Sequence, residues 1–147
     1  MLPITQALIT EHAVFTTVFT KIEQQLHGVR TVEEVKLLGA LVEALLEDHA
    51  TNETDLAFTA LDHALDQEGQ LEKMHQDHHE IDGDLRAVQT AATLSDARHL
   101  LKLALHATRK HFKREELNVF PLLEKMLHAE TLGELGGGWM AQHQARV

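Results

Sequence analysis

His49-Ala50-Thr51-Asn52-Glu53 has a near copy in His111-Phe112-Lys113-Arg114-Glu115. Each sets an imidazole and a carboxylate four residues apart, so on an α-helix both side chains leave the same face, one turn apart. The likeness continues downstream, where Phe58 matches Phe120, Leu61 matches Leu123, Asp62 matches Glu124 and Leu65 matches Leu127. Upstream, Glu11-His12-Ala13-Val14-Phe15 resembles Asp77-His78-His79-Glu80-Ile81: an acid, a His, then an apolar residue three positions on. The chain reads as duplicated, and each half supplies one lone His and one His-x-x-x-Glu pair.

A chain of 147 residues is expected to form one domain with a real core. Two prolines, eight glycines and abundant Leu, Ala, Glu and His favour helices and predict an all-α fold. The formal charge of −10 argues against a nucleic-acid partner, which needs a basic face. With no Cys there are no disulfides, thiolate metal sites or thiol chemistry. No apolar stretch has membrane-spanning length, and Met1-Leu2-Pro3 does not begin a signal peptide, so the expected location is cytoplasmic.

Helix 1 is expected to start after Pro3 and end at Gly28, with a stripe of Leu8, His12, Phe15, Phe19, Ile22 and Leu26. Thr31 and Glu34 make a capping box for helix 2, whose line is Val35, Leu38, Val42, Leu45, His49, Glu53 and Leu56, fading before Gly69. Helix 3 starts near Gln70 and carries Leu71, Met74, His78, Ile81, Leu85 and Val88. Ser95 can cap helix 4, with Leu101, Thr108, His111 and Glu115 inward. Pro121 should break or kink that helix around Asn118 to Phe120. Residues 1–130 are expected to form an antiparallel up-down-up-down four-helix bundle, and 131–147 a tail that is loosely packed or a short helix. His12 and His49 then both lie about 24 to 27 Å from the first turn, and His78 and His111 about 24 to 26 Å from the third.

Four imidazoles and two carboxylates at one level of a dry core are costly unless partnered, because buried carboxylates are poorly solvated and repel each other. A divalent metal pair bridged by the two Glu residues removes that cost. Nitrogen and oxygen ligands without thiolate suit iron, manganese or zinc, and a carboxylate-bridged pair with open positions suits iron best. Thr16 and Asp82, each four residues after a lone His, are candidates to orient imidazole rings. A lone His on an apolar stripe is ordinarily a packed core residue, and one His-x-x-x-Glu pair is commonly a surface contact of roughly 0.2–0.5 kcal/mol. The combination of four contributing helices in duplicate order is what raises the metal reading above those. His27, His63, His99, His106, His128 and His143 share no such pattern.

The order His, His-x-x-x-Glu, His, His-x-x-x-Glu-Glu with a following Phe-Pro resembles the hemerythrin-like, or HHE cation-binding, family, from about Thr10 to Leu127. The resemblance implies a four-helix bundle around a non-haem di-iron centre, its two ions oxo- or hydroxo-bridged. It implies His12, His49, Glu53, His78, His111 and Glu115 as ligands. Oxygen-carrying members have His-x-x-x-His on the third helix and His-x-x-x-x-Asp on the fourth, which His75 with His79 and His111 with Glu116 could imitate. The helical stripe instead favours His78 and Glu115, since Glu116 lies ~100° further round. His75 is a candidate seventh ligand. The carboxylate-rich set differs from that of the oxygen carriers, and with no Cys in the sequence the Cys-containing N-terminal region typical of di-iron cluster-repair proteins is not expected. Three functions are weighed: a di-iron protein that binds or reacts with dioxygen, peroxide or nitric oxide; a non-enzymatic iron store, carrier or sensor; and a plain helical interaction module.

Overall fold

The computed structural model describes residues 1–64 and 70–144, and among them every regular element is helical. Helix α1 spans Ile4–Leu26. Helix α2 runs as Val32–Asn52, a π-helical turn Glu53–Phe58, and Thr59–Ala64. Helix α3 is Gln70–Thr90. Helix α4 repeats the forms of α2, as Leu94–Arg114, a π-helical turn Glu115–Val119, and Phe120–Met126. Helix α5 is Ala129–Gln144. The expected end of the second helix before Gly69 and the match of Leu65 with Leu127 lie outside the described residues. No helix among the described residues is long and apolar enough to cross a membrane.

Local sequence explains most of the ends. Thr31 accepts a hydrogen bond from the Glu34 amide, and the Glu34 carboxylate reaches back to the Arg30 amide rather than to that of Thr31. At the start of α4 the cap is Thr93, whose hydroxyl accepts from the Asp96 amide at 3.1 Å, and not Ser95. Thr93 has the extended backbone that a cap needs, whereas Ser95 already lies in the helix.

The bundle is held by α3 packed along α4, α2 against both, and α1 against α4 and α5. The side chains of α2 depart from the expected line. Val35, Gly39, Val42 and Leu46 are buried, while Leu45 is exposed. Gly39 sits against α3, where a Cβ would approach Val88 to 3.0 Å, so the absent side chain lets the two backbones draw together. Beyond Glu53 the buried positions move to Ala57 and Phe58, because the π-helical turn adds a residue and rotates the face; Leu56 is only half-buried.

The α-helical ladder of α4 is interrupted near Pro121 as expected, but the chain stays helical through Met126. Proline is not the origin of that irregularity, since α2 makes the same π-helical turn with no proline in it. In both helices the turn begins at the glutamate of the His-x-x-x-Glu pair. These two turns divide the core. On one side Phe19, Leu26, Val35, Leu85, Leu101 and Leu105 belong to one apolar cluster, and on the other Leu8, Phe58, Leu61, Met74, Phe120 and Leu123 form a second.

The glycine-rich segment after Glu130 is helical and closely fitted. A Cβ at Gly136 would fall 1.8 Å from the Leu2 carbonyl oxygen, so only glycine lets α5 lie against the start of the chain. Leu132 joins the second apolar cluster, with Leu135 and Trp139 packed on its edge.

Candidate metal centre

Between the two apolar clusters the interior turns polar. His12, His49, His111, Glu53 and Glu115 are buried, and His78 is 16% exposed. Their positions follow from helix pitch: His49 and Glu53 on α2, and His111 and Glu115 on α4, are each one turn apart, with Nε2 to carboxylate distances of 3.4 and 2.6 Å. His12 of α1 brings its Nε2 within 3.1 Å of that of His49, and His78 of α3 within 2.8 Å of that of His111. His12 is therefore level with His49, and His78 with His111, as the residue counts predict.

Ligand atoms from His12, His49, Glu53 and Glu115 lie within 4.8 Å of one another, and so do those of Glu53, His78, His111 and Glu115. The two groups share both glutamates. Glu53 spans them, with one oxygen 3.4 Å from His49 Nε2 and the other 3.2 Å from His78 Nε2. His75 is in neither group; it is exposed, and its ring meets Phe58 edge-on at 5.6 Å.

A fit to cations can be judged from the donors themselves. None of the four oxygens of Glu53 and Glu115 has a partner in hydrogen-bond geometry, although all are buried. Buried polar atoms left so are uncommon, and a carboxylate pair without partners is costly. Burial and the charge of Glu53 push the Glu115 carboxyl well above the usual carboxylate range. Burial acts on Glu53 in the same sense, but contact with the Glu115 carboxyl and with His49 and His78 holds it well below. Two carboxyls thus share what one proton can neutralise, which two cations would do better. The donor set, all nitrogen and oxygen, fits a pair of divalent or trivalent first-row metal ions.

The outer ring nitrogens are also engaged. Nδ1 of His49 meets Glu11 at 3.0 Å, Nδ1 of His111 meets Asp77 at 3.1 Å, and Nδ1 of His12 meets Glu116 at 3.2 Å. An ionised carboxylate only accepts, so each Nδ1 donates, and in the neutral ring that leaves the Nε2 lone pair turned inward. Burial and the neighbouring His49 lower the His12 pKa to about 3, and burial with the neighbouring His78 lowers that of His111 to about 4. Burial disfavours the charged form of His49 too, but the carboxylates of Glu11 and Glu53 outweigh it and raise its pKa to about 9. Phenylalanines pack the rings: Phe112 stacks on His12 at 3.8 Å, and Phe15 meets His49 edge-on at 5.4 Å.

Thr16 and Asp82 are not the ring-orienting groups. That work falls to Glu11 and Asp77, the acids immediately before the two lone His residues, each reaching across to the His of the next helix. The repeated acid-His dipeptide is the signal in the sequence. Glu116 points mainly outward, yet its long side chain folds back to His12. A cavity of about 20 Å³ borders His49, His78 and His111 and is walled by Leu46, Ile81 and Phe112.

Compared with known protein families, residues 4–123 match the model of the Hemerythrin HHE cation binding domain. No curated protein and no solved structure shows significant similarity to the chain.

Proposed function

The chain belongs to the hemerythrin HHE cation-binding domain family, and on that premise we propose that it holds two iron ions and binds or reacts with a small ligand such as dioxygen, peroxide or nitric oxide. The observation that carries the reading is the pair of ligand groups sharing Glu53 and Glu115, the arrangement a carboxylate-bridged metal pair needs. In this reading His12 and His49 would hold one ion and His78 and His111 the other, with Glu53 and Glu115 available to both. The helices run up, down, up and down, which is supported by the levelling of His12 with His49 and of His78 with His111 across short connections.

When bound, iron supplies redox capacity and an open coordination position. The chain supplies the rest. Glu11, Asp77 and Glu116 orient three imidazoles through their outer nitrogens. Leu46, Ile81 and Phe112 give the small cavity an apolar wall on one side, and its volume of about 20 Å³ fits one water-sized molecule. Thr108 lines the same cavity, but its hydroxyl donates to the Ala104 carbonyl, so the pocket selects by size and polarity rather than by a dedicated donor.

Metal analysis of freshly purified protein, with absorption spectra before and after reduction, tests this. Two irons per chain and a spectrum that responds to peroxide, dioxygen or nitric oxide are expected. A protein loaded with iron but inert to all three supports the store, carrier or sensor reading, and a protein that takes up no metal overturns both.

A further inference from the structure

The two carboxylates that orient His49 and His111 are themselves held differently. Asp77 is paired with Lys73 of its own helix at 2.9 Å, and the Arg114 guanidinium of α4 lies 3.3 Å away as an ion pair outside hydrogen-bond geometry. Glu11 has no such cation among its described contacts. Its Oε2 accepts from His49 Nδ1 at 3.0 Å and from the indole Nε1 of Trp139 at 3.1 Å, and His143 Nε2 lies 3.4 Å from its other oxygen. Trp139 and His143 both belong to α5, one turn apart, with ring centroids 4.1 Å apart and the His143 Nδ1 donating to the Trp139 carbonyl. Helix α5 lies beyond the residues that match the family, which end at 123.

Resting on the reading of the centre as a metal pair, we propose that α5 is a clamp on one half of it. Trp139 is a positioning residue: its indole fixes Glu11, Glu11 fixes the His49 ring, and the His12/His49 ion is thereby coupled to the docking of α5. The His78/His111 half does not depend on α5, because Lys73 and Arg114 fix Asp77. A carboxylate oriented by a neutral N–H on a separate helix moves when that helix moves, whereas one held by two cations on the core helices does not.

The test uses the full chain and cobalt(II) as the probe metal. Trp139→Phe keeps an aromatic ring and removes the donor. Titration followed by the cobalt absorption bands is expected to show two tight equivalents in the parent protein. In the variant one equivalent should weaken by up to about 10-fold, the low end of the effect of losing a ligand's own hydrogen-bond partner because Trp139 acts through Glu11, and the other should be unchanged. Lys73→Met should weaken one equivalent without touching the Trp139-dependent one, so the double variant weakens both. In metal-free protein, the nitrogen-attached proton resonance of His49 Nδ1 should shift in Trp139→Phe while that of His111 stays. Two tight equivalents retained in Trp139→Phe, or both weakened alike, overturns the proposal. A parent protein that takes up no cobalt defeats the reading of the centre, and the His49 resonance then still decides whether Trp139 positions Glu11. Should Trp139→Phe not fold, Glu11→Gln is read in its place with the same expectations.

Discussion

The His12/His49 half of the site and the His78/His111 half descend from the same sequence pattern yet are built to different standards of rigidity. Both offer two imidazoles, the same two glutamates and an acid on the outer nitrogen of the second His. Around Asp77 the second half has cations. The first half has a neutral indole and an extra carboxylate, Glu116, on His12. Thr54 occupies the position in the first pair that Glu116 occupies in the second, so the partner of the His12 outer nitrogen has no counterpart by sequence match in the other half. Duplication preserves what helix pitch alone can place, and lets drift what depends on a third element.

The shared glutamates give the largest effect. Glu115→Gln is expected to remove one of the two shared carboxylates, leaving Glu53 as the other, and to reduce metal content below two ions per chain, read by elemental analysis. In the metal-free protein the same change should raise stability by about 1–3 kcal/mol, because it removes a buried acid with no hydrogen-bond partner that sits against a second carboxylate. A metal-free variant less stable than the parent would show that Glu115 has a structural partner of its own.

Next come the unshared ligands, which separate the halves. His49→Ala and His111→Ala should each cost one ion, a different one, and cobalt spectra of the two variants should sum to that of the parent. Identical spectra would mean that the halves are one cooperative unit.

Gly136→Ala probes the first half from a distance. A methyl group directed at the Leu2 carbonyl must displace α5, with an expected loss of about 1–3 kcal/mol in a denaturant melt. Metal should then be weakened at only one position. Gly137→Ala, where a Cβ meets nothing, is the control: it should raise stability by about 0.5–1 kcal/mol and leave metal binding unchanged.

A further test is the pH profile of the metal-free protein. His49 is raised from 6.5 in the unfolded chain to about 9, so its contribution is fully present below pH 6.5 and is lost as the pH rises through 9. His12 and His111 are lowered to about 3 and about 4, so theirs is present above pH 6.5 and is lost as the pH falls toward those values. Stability should peak near neutrality, and His49→Phe should flatten the alkaline limb alone. An alkaline limb unchanged by that substitution would remove His49 as its source.

Much of this was legible in the chain itself. Composition gave the helical class and the order of the motifs a resemblance to the family; the inward-facing six side chains and their common level follow from spacing, because an α-helix converts a residue count into a height and an angle. The π-helical turns at Glu53 and Glu115 were not legible: they exchange one backbone hydrogen-bond pattern for another, and no side-chain period marks them in advance. For the same reason Leu56 was expected inside, where Phe58 is found; Leu45, expected inside ahead of that turn, gives way to Leu46 because a helix of 3.6 residues per turn allows either an i+3 or an i+4 step along its stripe.

What the sequence determined by itself was the inventory of imidazoles and carboxylates and the face of each helix that carries them, since both are set within a single helix. Tertiary structure alone decided which carboxylate meets which outer nitrogen, and that the glycine-rich helix reaches Glu11 through Trp139. Those contacts join separate helices, and their distances depend on how each rod is turned and shifted against its neighbours, which no spacing along one strand of residues specifies.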